Sequence, residues 1–175
     1  MFYKVPEFIY SPLAEKEIVK GKVLVINDHD HALSDQINSE ECEVYRASLM
    51  EIIKPEYWAT VPKPDWVVCI TQGLAHQSMW ALDCGQQIAK KGFCVLDRIS
   101  FLEPTRNRQE ILLNSVLKNI IILSPRPAFR SDRKQLKDSV TSAWFVFANE
   151  PTDKSDTKID YALNWQRPKM LCSGK

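Results

Sequence analysis

The stretch from Asp65 to Leu74 constrains this sequence most, because it is an apolar run that ends abruptly at polar residues. Its apolar part, Trp-Val-Val-Cys-Ile at 66–70, predicts a strand that is buried on both faces. Such strands lie in the centre of parallel sheets, and ligands bind just beyond their carboxyl ends. The sequence therefore predicts that a functional site would lie at the next four residues, which are Thr71, Gln72, Gly73 and Leu74.

Apolar runs alternate with helix-like segments along the chain, which indicates an α/β fold with a mainly parallel central sheet and helices on both faces. Strands are predicted at 8–10, 22–26, 44–45, 66–70, 93–96, 119–123 and 140–147. Helices are predicted at 49–58, 75–91 and 105–117. No helical pattern separates the final two strands, so we expect them to form an antiparallel hairpin at one edge of the sheet.

The length of 175 residues is enough for one domain, which we assign to residues 1–150, followed by a loosely packed polar tail at 151–175. The net charge of +1 gives no global signal for nucleic-acid binding. No apolar run approaches the ~20 residues that span a bilayer, and the first residues do not resemble a signal peptide. We therefore expect no membrane association.

The five cysteines are odd in number and lack the spacing of metal ligands. Cys69 and Cys94 lie in apolar runs and are predicted to be small core residues, as in a reduced cytoplasmic protein. The loop 28–31, Asp-His-Asp-His, has no second ligand cluster to complete a metal site, so we interpret it as a solvated turn and expect no metal. A nucleophile pair of Cys69 with His76 is disfavoured by the core position of Cys69.

Four segments carry a resemblance to a known family. They are the acidic loop 27–30, the strand 65–70, the strand, loop and helix at 93–108, and a terminal hairpin made from 126–129 and 138–146. In this order they resemble the Rossmann-like fold of S-adenosylmethionine-dependent methyltransferases, most closely the small DNA adenine methyltransferases of phages and prophages. The resemblance covers about residues 8–148 and rests on order and spacing.

The first departure from that family is at the catalytic position. The family has Asn/Asp-Pro-Pro-aromatic after its catalytic strand, which holds the adenine amine and stacks on the flipped base. The matching residues here are Thr71, Gln72, Gly73 and Leu74. Thr71 lacks an amide, Gln72 and Gly73 lack the rigidity of two prolines, and Leu74 has no ring to stack. The resemblance therefore implies that these four residues occupy the catalytic positions but lack the groups that bind the adenine base.

The second departure is in the cofactor loop. The family has a proline, a small residue and a Gly-acidic-Gly turn after its first strand, and Pro12 and Ala14 match the first two of these. Glu15 and Glu17 replace the glycines, and Lys16 would repel the cationic cofactor. Asp28 or Asp30 could still accept hydrogen bonds from ribose hydroxyls, or could belong to an exposed turn. The acidic residue that the family places near adenine is replaced at Arg46-Ala47.

A basic run could hold nucleic-acid phosphates, or could be an ordinary solvated surface. Its residues are Arg106, Arg108, Arg126, Arg130, Arg133, Lys134 and Lys137. The resemblance places both of its segments near the carboxyl ends of the strands.

Intact core strands beside rebuilt loops favour a pseudoenzyme, a degenerate methyltransferase-like domain that acts as a binding or assembly module, with DNA as a candidate partner. We expect no cofactor, or S-adenosylmethionine if the pocket is functional. The alternatives are an active DNA adenine methyltransferase with atypical motifs, and an enzyme of another kind that reuses the nucleotide pocket. An exposed sheet edge would also allow a homo-oligomer.

Overall fold

A computed structural model describes residues 4–28, 30–37, 41–71, 83–103, 105–129, 140–149 and 156–166. The strands are β1 (Gly21–Ile26), β2 (Cys42–Ala47), β3 (Trp66–Ile70), β4 (Gly92–Arg98), β5 (Val116–Ser124), β6 (Ser142–Ala148) and β7 (Lys158–Leu163). The helices are α1 (Ser11–Ala14), α2 (Ala32–Ile37), α3 (Leu49–Ile52), α4 (Pro55–Thr60), α5 (83–88) and α6 (Arg106–Asn114), with a 3-10 helix at Ile99–Leu102.

The seven strands form one mixed sheet in the order β2-β1-β3-β4-β6-β5-β7. The first four strands of this order pair in parallel, and β6 runs antiparallel to both β4 and β5. The predicted α/β fold with a mainly parallel sheet and an antiparallel pair is confirmed. The predicted hairpin does not end the sheet, because β7 pairs in parallel with the far side of β5.

The apolar run at 66–70 forms β3, which lies between β1 and β4, and its last four residues are buried. Asp65, just before this strand, fixes the start of β1. Its carboxylate accepts a hydrogen bond from the N–H of Lys22 at 2.9 Å, and its own N–H donates to the Lys22 carbonyl at 2.8 Å. These bonds set the register of β1 against β3 and align the carboxyl ends of the two strands.

Each face of the sheet is covered by its own core. One core holds Val25, Val68 and Trp144, under the N-terminal segment and α2. The opposite core holds Phe93 and other aromatic side chains under α3 to α6 and the 3-10 helix, where Phe93 and Phe147 stack with ring centroids 4.7 Å apart. The predicted helices on both faces are therefore present. Cys69 and Cys94 are fully buried, as predicted.

The strand predicted at 8–10 is absent, and this prediction is wrong. Residues 7–10 form a turn that leads into α1, and Phe8 has a φ of 61°. Ile9 and Tyr10 are nevertheless buried against the sheet, and the Ile9 carbonyl accepts a hydrogen bond from Nε1 of Trp144 at 2.9 Å. Burial of the turn explains its apolar composition. As a result β1, which was predicted to be the second strand, is the first strand of the sheet.

The expectation of a loosely packed tail is wrong for the described residues 156–166. They contain β7, and Trp165 is 3% exposed, with its Nε1 donating to the Pro125 carbonyl at 2.6 Å. The hydroxyl of Ser11 donates to the Trp165 carbonyl at 3.1 Å. This part of the chain therefore belongs to the domain and touches its N-terminal segment.

Other differences are local. The helix predicted at 49–58 is divided into α3 and α4, because Pro55 starts a new helix at its first turn. The six-residue helix α2 was not predicted. The predicted helix at 75–91 is described only from residue 83 onward, where it contains α5. The helix predicted at 105–117 ends at Asn114, since β5 begins at Val116.

Candidate functional site

An open cavity of about 320 Å³ lies beyond the carboxyl ends of β1 and β2. It is lined by Asn27, Asp28, His31, Arg46, Ala47, Ser48 and Glu51. Asn27 and His31 have positive φ values of 61° and 60°, which turn the chain sharply away from β1. The N–H of Asn27 donates to the Ala47 carbonyl at 3.1 Å and so joins the two loops. The cavity lies where ligands bind in open parallel sheets.

Asp28 is engaged with the protein itself. Its two carboxylate oxygens accept hydrogen bonds from the N–H groups of Leu33 at 3.0 Å and Ser34 at 2.7 Å, at the start of α2. The first N–H groups of a helix have no partner within the helix, so a carboxylate in this position stabilises it. Asp28 is only 9% exposed. Its carboxylate thus fills the place that an anionic ligand would take at this helix.

Ser48 and Glu51 form a reciprocal cap at the start of α3. The Ser48 hydroxyl accepts a hydrogen bond from the N–H of Glu51, and Oε2 of Glu51 accepts from the N–H of Ser48 at 2.7 Å and from its hydroxyl at 2.8 Å. These bonds stabilise the charged form and lower the pKa of the Glu51 carboxyl. The glutamate of the cavity lining is therefore tied to backbone.

Arg46 brings a positive charge to the cavity. Its Nη2 pairs with Oδ1 of Asp35 at 2.7 Å, and its Nε donates to the hydroxyl of Ser34. Both partners belong to α2, so the guanidinium is held over the helix that Asp28 caps. The cavity therefore combines one cation with two carboxylates that are already hydrogen-bonded.

The predicted cofactor residues are not brought together. Of Pro12, Ala14, Asp28 and Asp30, the cavity is lined only by Asp28. Pro12 is buried within α1, and Ala14 is an exposed residue of the same helix. The carboxylate of Asp30 accepts hydrogen bonds from the N–H groups of Val5 and Ala32, each at 3.3 Å, and thus holds the N-terminal segment against the loop.

Thr71 is the one predicted catalytic position that the structure describes, and Gln72, Gly73 and Leu74 lie outside the described residues. Thr71 is fully buried, and its Oγ1 donates to the Leu96 carbonyl at 3.2 Å. The hydroxyl is thus turned toward the backbone of β4. Burial raises the pKa of the neighbouring Cys69 thiol to about 12, which keeps it protonated at neutral pH. His76, its suggested partner, also lies outside the described residues.

Three of the predicted phosphate-binding arginines are described, and they lie beyond the carboxyl ends of β4 and β5. Arg106 and Arg126 are exposed, whereas Arg108 is half-buried. Nη1 of Arg108 donates to the carbonyls of Ser100 at 2.9 Å and Phe101 at 3.3 Å, and its guanidinium lies 5.7 Å from the Phe101 ring centroid. Arg108 therefore secures the 3-10 helix. Arg130, Arg133, Lys134 and Lys137 lie outside the described residues.

Four cavity residues, Asn27, His31, Ser48 and Glu51, were missed as site residues by the sequence argument. A signal existed for two of them, because serine followed three residues later by glutamate is the sequence signature of a capped helix start. That signature directly follows β2 and so marks its carboxyl end.

In the described part of the chain, no cluster of three or more histidine, cysteine, aspartate or glutamate side chains is arranged to hold a metal ion. None of the helices found there has the length and apolar character that crossing a membrane requires.

Comparison with known proteins gives the fold but no close relative. No family model and no curated protein matches the sequence. Among solved structures, the chain is similar to a Listeria monocytogenes protein assigned as a class I S-adenosylmethionine-dependent methyltransferase, with a TM-score of 0.53 and 11% identity over 92% of this chain. The chain spans 65% of the length of that protein. It therefore has the class I methyltransferase fold.

Two weaker similarities have TM-scores below 0.5, and we draw nothing further from them. One is to a Vibrio vulnificus protein assigned as the modification subunit of a type I restriction enzyme, with a TM-score of 0.47 and 11% identity over 86% of this chain and 45% of that one. The other is to an Agrobacterium tumefaciens protein assigned as an O-methyltransferase, with a TM-score of 0.44 and 11% identity over 81% of this chain and 78% of that one.

Proposed function

We propose that this chain is a methyltransferase-like domain that does not transfer methyl groups and serves as a binding or assembly module. One observation carries the proposal. The carboxylate of Asp28, at the end of the first strand of the sheet, is bonded to the N–H groups of Leu33 and Ser34. These N–H groups and this carboxylate could each bind a nucleotide-like cofactor, but they form hydrogen bonds with one another instead.

The cavity lining does not fit S-adenosylmethionine. The resemblance places a glycine turn after the first strand, but the loop 27–31 contains no glycine, so the backbone cannot approach a cofactor as closely. Arg46 adds a guanidinium to a lining that would need negative charge for the sulfonium and amino groups of the cofactor, and the carboxylate of Asp35 is already paired with that guanidinium. Asp28 and Glu51, which could offset that charge, are held by hydrogen bonds to backbone.

The resemblance assigns catalysis to residues 71–74, of which the structure describes Thr71, and this residue offers no free polar group. The Thr71 hydroxyl donates to the Leu96 carbonyl and is not exposed to solvent. A buried and satisfied hydroxyl cannot hold the amine of a flipped base. The contacts of Thr71 thus support the loss of methyl transfer, in agreement with the residue types at 72–74.

DNA is the partner that the arginines favour. Because β4 and β5 run in the same direction, the segments that follow them emerge at one edge of the sheet. Exposed Arg106 and Arg126 come from these two segments and could contact phosphates together. Arg108 would support them by fixing the 3-10 helix. We also propose that the domain acts in the cytoplasm, because the odd number of cysteines and the apolar runs around Cys69 and Cys94 are typical of a reduced protein.

Two assays test this function. Titration calorimetry with S-adenosylmethionine is expected to give no binding, and incubation with labelled cofactor and adenine-containing DNA to give no methylated product. A DNA mobility assay is expected to give a shift that weakens steeply with salt. Arg106→Ala should weaken that shift, whereas Lys63→Ala should not, because exposed Lys63 precedes β3 and lies at the opposite edge. Methylation of DNA would overturn the proposal that the domain is not catalytic. A mobility shift that is absent or insensitive to salt would overturn the proposal that DNA is its partner.

An active methyltransferase is the second candidate, and the size and position of the cavity favour it, in contrast to the residues of its lining. Its volume of about 320 Å³ lies at the lower end of the range for small-molecule sites, and its position beyond parallel strands is that of a nucleotide pocket. The calorimetric titration separates the two functions, because only the second requires binding of S-adenosylmethionine.

A further inference from the structure

The strand β7 lies at one end of the sheet and exposes an apolar stripe. Ile159, Tyr161 and Leu163 are 62%, 66% and 67% exposed. They lie opposite Ile120, Ile122 and Ser124 of β5 and therefore share the face of the sheet that is covered elsewhere by α3 to α6. The other side of the strand is occupied, because Asp160 pairs with Lys16 at 2.8 Å and Ala162 packs into the core.

In the described part of the chain, the outer edge of β7 also carries unpaired backbone groups. Within the described residues, no strand pairs with this edge. The N–H of Asn164 donates to the Ser124 carbonyl at 2.7 Å, so the carbonyl of Leu163, on the other side of that peptide, points away from β5. Backbone groups alternate along a strand, so Ile159, Tyr161 and Leu163 all direct their N–H and carbonyl groups outward. The exposed side chains and the free backbone groups thus belong to the same three residues.

We propose that β7 is the interface of a homodimer, in which two copies of the strand pair antiparallel around a twofold axis at Tyr161. In this register Tyr161 faces its own copy, and Ile159 faces Leu163 of the partner copy. Directly opposite residues of an antiparallel pair project to the same face, so the two apolar stripes join. Each of these pairs also exchanges backbone hydrogen bonds between outward groups.

The sequence of β7 is compatible with itself in this register. Lys158 faces Asn164 of the other copy, and Asp160 faces Ala162, so no like charges oppose each other. A twofold axis at residue 160 instead of 161 would place Asp160 opposite Asp160, which is unfavourable. Edge strands of monomeric proteins usually carry features that prevent such pairing, such as proline or outward lysine on the free face, and β7 has none of these on its apolar stripe. The second copy is therefore the occupant that this edge fits.

The first experiment measures the dimer by sedimentation equilibrium over a concentration series of the full chain. A single strand pair makes a small interface, so we expect a dissociation constant on the order of micromolar. Tyr161→Lys places two like charges together at the twofold axis and should raise that constant by about tenfold or more. Met50→Lys is the matched control, since Met50 is 65% exposed on α3 and should leave dimerisation unchanged. A monomer at all concentrations, or equal behaviour of both variants, would overturn the proposal.

The second experiment tests the register. Ile159→Lys and Leu163→Glu should each weaken the dimer, whereas the double variant should restore it to within about threefold of the original, because the introduced lysine of one copy would face the introduced glutamate of the other. Circular dichroism of each variant checks that the monomer stays folded. Additive losses in the double variant would exclude the pairing around Tyr161. Neither experiment depends on methyl transfer or on DNA, so failure of this interface leaves the proposed function untouched.

Discussion

The carboxylate of Asp28 lies 2.7 Å from the backbone nitrogen of Ser34, so the loop after β1 closes on the helix that follows it. Removing this cap leaves the N–H groups of Leu33 and Ser34 without their partner. We expect Asp28→Ala to reduce the free energy of unfolding by about 1–2 kcal/mol, measured by urea denaturation. Asp30→Ala is the comparison, because both of its hydrogen bonds are longer, at 3.3 Å, and should contribute less. If Asp28→Ala keeps full stability, the carboxylate does not act as a cap and is free to bind a ligand.

Glu51 should make stability depend on pH. Hydrogen bonds from the N–H and hydroxyl of Ser48 lower the pKa of the Glu51 carboxyl below its usual value of 4.5. A carboxyl with a lower pKa in the folded state stabilises the protein above that usual value, and its contribution is lost as the pH falls through the folded pKa. Glu51→Gln should thus lower the urea midpoint at neutral pH but not in strong acid. A constant effect of Glu51→Gln across this pH range would refute the argument.

Arg106 and Arg108 are neighbours on α6 with different roles in stability. Arg108 bonds to the carbonyls of Ser100 and Phe101 and lies over the Phe101 ring, so Arg108→Ala should cost about 1–2 kcal/mol of unfolding free energy. Arg106→Ala removes an exposed side chain and should leave the unfolding free energy nearly unchanged. Thermal or urea denaturation measures both. Equal effects would show that the contacts of Arg108 do not stabilise the 3-10 helix.

Trp165 tests whether the C-terminal strand region belongs to the core. Its side chain is buried and its Nε1 bonds to the Pro125 carbonyl, so Trp165→Ala should cost about 3–5 kcal/mol. Tyr161→Ala, on the exposed face of β7, should change the stability of the monomer little. Urea denaturation at low protein concentration separates this effect from dimerisation. If Trp165→Ala left the free energy of unfolding unchanged, the residues after 156 would be only loosely attached.

The sequence predicted the central strands well, because their burial on both faces produces continuous apolar runs. Trp66–Ile70 is such a run, and its place next to β1 and β4 follows from the alternation of strands and helices. The run at 8–10 was misread, since three apolar residues fit a buried turn as well as a strand. In β7 apolar and polar residues alternate, but Ile159, Tyr161 and Leu163 face solvent, so burial could not be inferred from the pattern.

The candidate site was predicted less well. The cavity lies beyond the carboxyl ends of the strands, in the region where the sequence argument places a site, and that placement stays a prediction. The partners of Asp28 could not be read from the sequence. Its carboxylate reaches N–H groups five and six residues further along, at a helix too short to show a clear period. Arg46 was noted as a departure from the resemblance, and only the pairing of β1 with β2 brings it to the same cavity as Asp28.

The contact of Trp144 with Ile9 has a consequence for how the protein is made. The N-terminal segment packs against Trp144 and bonds to Trp165, so the cover of its apolar side chains is completed by residues 135 and 154 positions further along the chain. Until these residues have been synthesised, the cover of Ile9, Tyr10 and Leu13 is incomplete. Contacts over such a separation slow folding and prolong the exposure of apolar surface. We therefore expect the N-terminal segment to reach its final packing late in folding.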